Sequence, residues 1–243
     1  MRSRNVAMLL VTLSVLTDCS ILFLHSAFAA PIQISQQFSW GNILAGLRRR
    51  KPPMGSRGEI CILSPAEVEE VTLMVDTQPV FLWQGRAGAI ALRRAGEAQP
   101  FWRKPTGVYP EGGTASHRVE RVQLSLQKPD VRRFRYTGEP LRPGQTYELL
   151  LFEFSATPYP KARQSFRIIP EAERTQVAAD LNRLNQNLKA KGLSEEQISL
   201  HRANNFVRNQ LWSSAVQEVY SVKNPSAELS KVVQEIPAKI CGQ

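Results

Sequence analysis

"PEAERTQVAADLNRLNQNLKAKG", residues 170–192, decides the layout of the chain. Val177, Leu181, Leu184 and Leu188 recur at helical spacing and make a single apolar stripe. Pro170 stands at a helix start, where its missing N–H costs nothing, and Glu171 and Glu173 put negative charge at the positive end of the helix dipole. Gly192 is a natural C-terminal cap. Nothing between 59 and 169 carries this period. Pro170 therefore marks the point at which a β-rich chain turns helical.

Upstream, residues 59–63, 69–76, 79–84, 87–94, 119–127, 131–137, 146–154 and 164–169 are rich in Val, Ile, Leu, Phe and Tyr, and Gly, Pro, Asp or Asn break them at short intervals. "VRRFRYT", 131–137, shows strand alternation: Arg132, Phe134 and Tyr136 share one face, Arg133 and Arg135 the other. "PLRPG", 140–144, is a turn, and "QTYELLLFEF" runs on as a long strand. The spacing predicts an antiparallel β-sandwich of immunoglobulin or fibronectin kind over residues 58–169. Residues 96–118 read as a long polar loop between strands.

Downstream, residues 170–240 read as a helical tail of three to four antiparallel helices, which makes the class α+β. Ser194 and Gln197 fit a capping box for the second helix, which carries Leu200, Ala203, Val207 and Leu211 on one face. A third holds Trp212, Ala215, Val216 and Val219. A last, short one holds Leu229, Val232, Val233 and Ile236, after which "PAKICGQ" delivers Cys241 as a tail.

"ANNFVRNQLWSSAVQEVYSVKNP", 203–225, resembles a tetratricopeptide helix pair in its Trp, Ala and closing Asn-Pro positions, with Asn209 where that repeat has glycine. With "RGEIC" at 57–61, "QPVFLW" at 78–83, "PLRPGQTYELLLF" at 140–152 and "LWSSAV" at 211–216, residues 55–230 are similar to a family of cyanobacterial secreted proteins known as domain of unknown function 928. The resemblance implies an extracytoplasmic location and a β-then-α order, and it implies no activity.

The N-terminus sets the compartment. "MRSRN" is basic, residues 6–16 are an apolar run of eleven, and Ala27 and Ala29 are small residues before a cleavage point after Ala29. Residues 1–29 are expected to be a secretory signal and the chain to be exported, to the periplasm or beyond. An uncleaved anchor is the alternative, with Asp18 inside the membrane at a cost of roughly 2.5–3.5 kcal/mol. A lipoprotein is a further one, with Asp18 where a small residue should precede Cys19. Cys61 and Cys241 remain after cleavage, and an even pair in an oxidising compartment reads as a disulfide. A catalytic thiol at Cys61 would need a histidine, and only His117 and His201 are left. "RRRKPPMGSRG", 48–58, is proline- and glycine-punctuated, so residues 30–57 read as a basic linker, with "FSWGNILAGL" as a possible brief helix.

The chain carries a formal charge of +10. The excess gathers in residues 48–57 and 86–142, and a basic field attracts anionic surfaces. Arg93, Arg94, Arg103, Lys104, Arg132, Arg133 and Arg135 are the candidate anion-binding residues, facing outward from their strands, and the same charge also serves as ordinary solubilising surface. Trp102 and Tyr109 are candidates for stacking against a ligand. "PEGGTASH", 110–117, is either an anion cradle or a plain surface loop.

Glu69–Glu70 and Glu195–Glu196 read as opposed strand faces and helix-cap charge, not as acid–base pairs. No nucleophile elbow, metalloprotease helix, phosphate loop or Cys-x-x-Cys is present. No catalytic residue, metal or cofactor is nominated. The expected function is a non-catalytic envelope protein that binds or scaffolds a partner protein. The alternatives are a binder of anionic polymer or lipid head groups at a membrane surface, and an unrecognised hydrolase. Nucleic acid is not an expected partner outside the cell, and the oligomeric state is open.

Overall fold

A computed structural model describes residues 39–47, 60–65, 72–106, 120–121, 131–154, 156 and 158–241. The expected signal segment, most of the linker, Tyr109, the 110–117 loop and Glu69–Glu70 lie outside the described residues. Among the described residues no helix is long and apolar enough to cross a membrane.

The chain is α+β: two sheets, then helices. Numbered in chain order, the first sheet runs β1 (Cys61–Ser64), β3 (Val80–Gln84), β7 (Val131–Arg135) and β6 (Glu120–Arg121). The second runs β2 (Thr72–Met74), β9 (Ala162–Ile168), β8 (Thr146–Phe152), β4 (Ala89–Arg94) and β5 (Trp102–Pro105). Every pairing is antiparallel except β2 with β9, which is parallel, so the second sheet is mixed.

β3 organises the interior. Its residues Val80 to Trp83 are all buried, because both faces of the first sheet are covered. Phe81 and Trp83 face the second sheet and share a core with Phe134, Tyr147, Leu149 and Phe166. Phe81 meets Phe166 edge to face at 5.7 Å. Val80 and Leu82 face the other way, into a core built with the helices. Burying one such side chain contributes about 1.5–3 kcal/mol.

The helices are α1 (Trp40–Gly46), α2 (Glu171–Ala190), α3 (Glu195–Arg208), α4 (Trp212–Val219) and α5 (Ala227–Cys241). α2 ends at Gly192, whose φ of 70° is the left-handed conformation glycine adopts freely. The capping box is present: Ser194 Oγ accepts from the Gln197 N–H at 3.3 Å, and Gln197 Oε1 accepts from the Ser194 N–H at 2.9 Å. Glu196 accepts from Trp40 Nε1 at 3.2 Å and from Ser226 Oγ at 2.6 Å, so this carboxylate joins α1 and α3 to the start of α5. Cys61 and Cys241 form a disulfide with Cα atoms 6.0 Å apart, which ties α5 to β1.

The brief helix weighed for "FSWGNILAGL" is present as α1, capped by Ser39, and it buries Trp40, Ile43 and Leu44. Three expectations are corrected. Residues 96–118 are not all loop: β5 pairs with β4 as an edge strand, where Pro105 needs no N–H partner. The boundary at 169/170 changes element type but not core, since Ile169, Leu63 and Val131 pack in one cluster with the helices. Finally, "PAKIC" is not a tail. α5 continues through Pro237 to Cys241. A proline cannot donate to the carbonyl four residues back. That carbonyl, of Val233, instead accepts from the buried Tyr220 hydroxyl at 3.2 Å.

Candidate functional site

Alternation along β7 sends Arg133 and Arg135 to the helix side of the first sheet. They reach a cleft of about 500 Å³ between that sheet and the helices, where Arg174 of α2 and Arg202 of α3 meet them. Two carboxylates, Asp76 and Glu218, share the cleft, and Glu171 pairs with Arg174 at 2.5 Å beside it, which leaves an excess of one positive charge among these seven groups.

Each group is held differently. Arg135 pairs with Asp76 at 3.4 Å and donates to the Gln78 carbonyl at 3.2 Å. Arg174 donates from Nε to the Val75 carbonyl at 2.9 Å, which fixes α2 against the end of β2. Arg202 pairs with Glu218 at 2.6 Å. Burial pushes the Glu218 carboxyl above its usual range, against the pull of Arg202 and a hydrogen bond from Ser199. The Nε of Arg202 is buried with no hydrogen-bond partner among the described residues. Arg133 has no ion-pair partner among them.

A planar guanidinium presents a fork of donors that matches phosphate, sulfate and carboxylate oxygens. Four such forks line one concavity, with Ser214 and Gln217 beside them. Gln217 is itself fixed, donating to Ser64 Oγ at 3.0 Å and to the Val80 carbonyl at 2.9 Å. Burial, with Lys191 and Arg208, lowers the pKa of His201, which does not line the cleft. Among the described residues no three His, Cys, Asp or Glu side chains come together as a metal site.

The other sequence candidates do not join this group. Arg132 was expected to face outward, but it is 1% exposed. It lies on the inner face with Phe134 and donates from Nε to the Gly85 carbonyl at 2.8 Å, so its charge is spent inside the fold. Arg93 donates to Glu148 at 2.7 Å, and Arg103 lies 4.0 Å over the Phe152 ring, both on the outer face of the second sheet. Lys104 is half-buried on β5. Trp102, also on β5, packs on Phe134 at 5.6 Å and Tyr136 at 5.1 Å. It opens with Arg94 on a separate pocket at the end of the sandwich.

Arg174, Arg202 and Glu218 are the site residues that sequence reasoning missed. One signal was available: Arg174 extends the Val177–Leu181 stripe backward by one turn, and Arg202 stands four residues before Phe206. An arginine in register with an apolar stripe points toward whatever the stripe covers.

Comparison of the chain with protein-family models, with curated proteins and with solved structures finds no match.

Proposed function

We propose that the protein is a non-catalytic binding module of the cell envelope that holds an anionic group, of a polymer or a lipid head group, in the cleft between β7 and the helices. The observation that supports this reading is the convergence of Arg133, Arg135, Arg174 and Arg202 on one concavity, with Asp76, Glu171 and Glu218 paired to three of them and Arg133 left over among the described residues. Of the two partner classes open from the sequence, an anionic polymer suits a recessed cationic cleft better than a partner protein does. Export from the cytoplasm belongs to the same reading, and the Cys61–Cys241 disulfide supports it, since such bonds persist in oxidising compartments. So does the finer view of the fold: an immunoglobulin- or fibronectin-like sandwich with a tetratricopeptide-like helical tail, of the kind in the domain of unknown function 928 family.

The test is chromatography of the parent and of an Arg133→Ala/Arg135→Ala variant on immobilised heparin across a salt gradient. The variant is expected to elute at lower salt with a shallower dependence on ionic strength. Identical elution of the two proteins would reduce the cleft to solubilising charge. N-terminal sequencing of the native protein checks export: a chain starting near Ala30 is expected, and one starting at Met1 refutes it.

A further inference from the structure

The second concavity lies where the inter-sheet core opens at the end of the sandwich, and it encloses about 250 Å³. Phe101, Trp102, Tyr136 and Tyr147 line it, with Arg94 and Arg142 beside them. Phe101 and Tyr147 stand edge to face at 5.9 Å, and Trp102 stands edge to face with Tyr136 at 5.1 Å. Phe101 is 38% exposed, so its ring keeps part of its face open at the pocket mouth. Arg94 lies 5.0 Å over that ring and pairs with Glu97 at 3.1 Å.

Among the described residues, the uncommitted groups in the pocket include the Glu139 carboxylate and two others. The Arg142 guanidinium, exposed at the rim, has no ion-pair or hydrogen-bond partner among the described residues. The Tyr136 hydroxyl makes no hydrogen bond among them either. The Tyr147 hydroxyl, in contrast, is used: it accepts from the Arg142 N–H at 2.8 Å and donates to Gln145 at 3.1 Å. The turn passes so close to Tyr136 that a methyl group on Gly138 would lie 2.2 Å from the phenol oxygen. Glycine at 138 therefore leaves that hydroxyl its place in the pocket wall.

We propose that this pocket binds a single sugar ring carrying a carboxylate. Aromatic rings offer faces and edges for the C–H groups of a pyranose, and the Tyr136 hydroxyl with the Glu139 carboxylate meets its hydroxyls. Arg142 meets the carboxylate. The volume falls below the roughly 300–1,000 Å³ of pockets that hold larger ligands, which suits one ring and not an extended chain. The site is separate from the arginine cleft: Arg135 lines the cleft and its neighbour Tyr136 lines the pocket, on opposite faces of the same sheet.

The full-length, disulfide-bonded protein is titrated with D-glucuronate, D-glucose and inorganic phosphate, following saturation-transfer NMR of the ligand and tryptophan fluorescence. Glucuronate is expected to give a saturable response and glucose one weaker by about ten-fold or more. Phosphate is expected not to displace glucuronate from this pocket. Arg142→Gln, at an exposed position, is expected to keep the parent melting temperature and lose glucuronate binding by about ten-fold or more. Arg133→Ala/Arg135→Ala is expected to leave the Arg142-dependent, phosphate-resistant part of the titration unchanged, whatever that variant does on heparin or to a separate, phosphate-displaceable phase. The proposal is overturned by the absence of saturable binding, by glucuronate binding in Arg142→Gln equal to the parent, or by loss of the phosphate-resistant part in the cleft variant.

Discussion

The two faces of the first sheet are closed in different ways. Toward the second sheet the filling is aromatic: Phe81, Trp83, Phe134 and Tyr136 meet Tyr147 and Phe166. Toward the helices the filling is mainly aliphatic and smaller, with Leu63, Val80, Leu82 and Val131 against Ala215, Val216 and Ile236. That second face also carries specific fasteners: the Cys61–Cys241 bond, Gln217 on Ser64 and Val80, and Tyr220 on Val233. Apolar burial, rich in rings, seals one interface. The other adds a covalent tie and directed hydrogen bonds. Directional fasteners also leave gaps between them, and the arginine cleft lies on this face.

The contrast breaks first, and hardest, at Phe81. Phe81→Ala should cost about 3–5 kcal/mol in urea unfolding, through lost transfer energy and a cavity. A loss under about 1 kcal/mol would mean that packing is not what closes the aromatic face. Replacing both Cys61 and Cys241 by Ser should cost about 2–4 kcal/mol, because the bond spans 180 residues of the unfolded chain. An unchanged denaturation midpoint would leave the helix face independent of its covalent tie. Tyr220→Phe removes the donor that serves the Val233 carbonyl beside Pro237 and should cost about 1–3 kcal/mol. If it costs nothing, that carbonyl finds another partner.

The smallest effect is a pH trend. The Glu218 carboxyl is held above its usual value of 4.5 in the fold, so the folded chain binds this proton more tightly than the unfolded chain. Its contribution to stability is present below 4.5 and is lost as pH rises through the raised pKa. Glu218→Gln mimics the protonated form at every pH. The melting temperature of the variant relative to the parent should therefore rise between acid and neutral pH, and a flat difference would refute the shift.

Much of this was legible from residue periods. The α2 stripe and the Ser194–Gln197 box lie where spacing placed them, and alternation along 131–137 already put Arg132 on the side of Phe134 and Tyr136. Reading Arg132 as outward let its charge outweigh its position in the strand, and a single carbonyl, of Gly85, was enough to receive it inside. α1 was legible too, as the brief helix weighed for "FSWGNILAGL", and Trp40, Ile43, Leu44 and Leu47 follow helical spacing within it. β5 was illegible because an edge strand of four residues with one aromatic has no pattern to detect. The continuation of α5 through Pro237 depends on a hydroxyl from α4's end, which no local rule supplies. The cleft gathers two strands, three helices and the Asp76 turn, and no spacing in the sequence encodes that meeting.

One strand carries a last consequence. Because Arg135 and Tyr136 are consecutive in the chain and serve opposite sides, gaining or losing a single residue within β7 would exchange their destinations. A guanidinium would enter the aromatic pocket and a phenol the arginine cleft, so one such event would abolish both at once. Point substitutions can tune either concavity alone, but a length change in this strand cannot. In descendants of this sequence the two concavities would therefore drift independently in chemistry and be inherited or lost together in geometry.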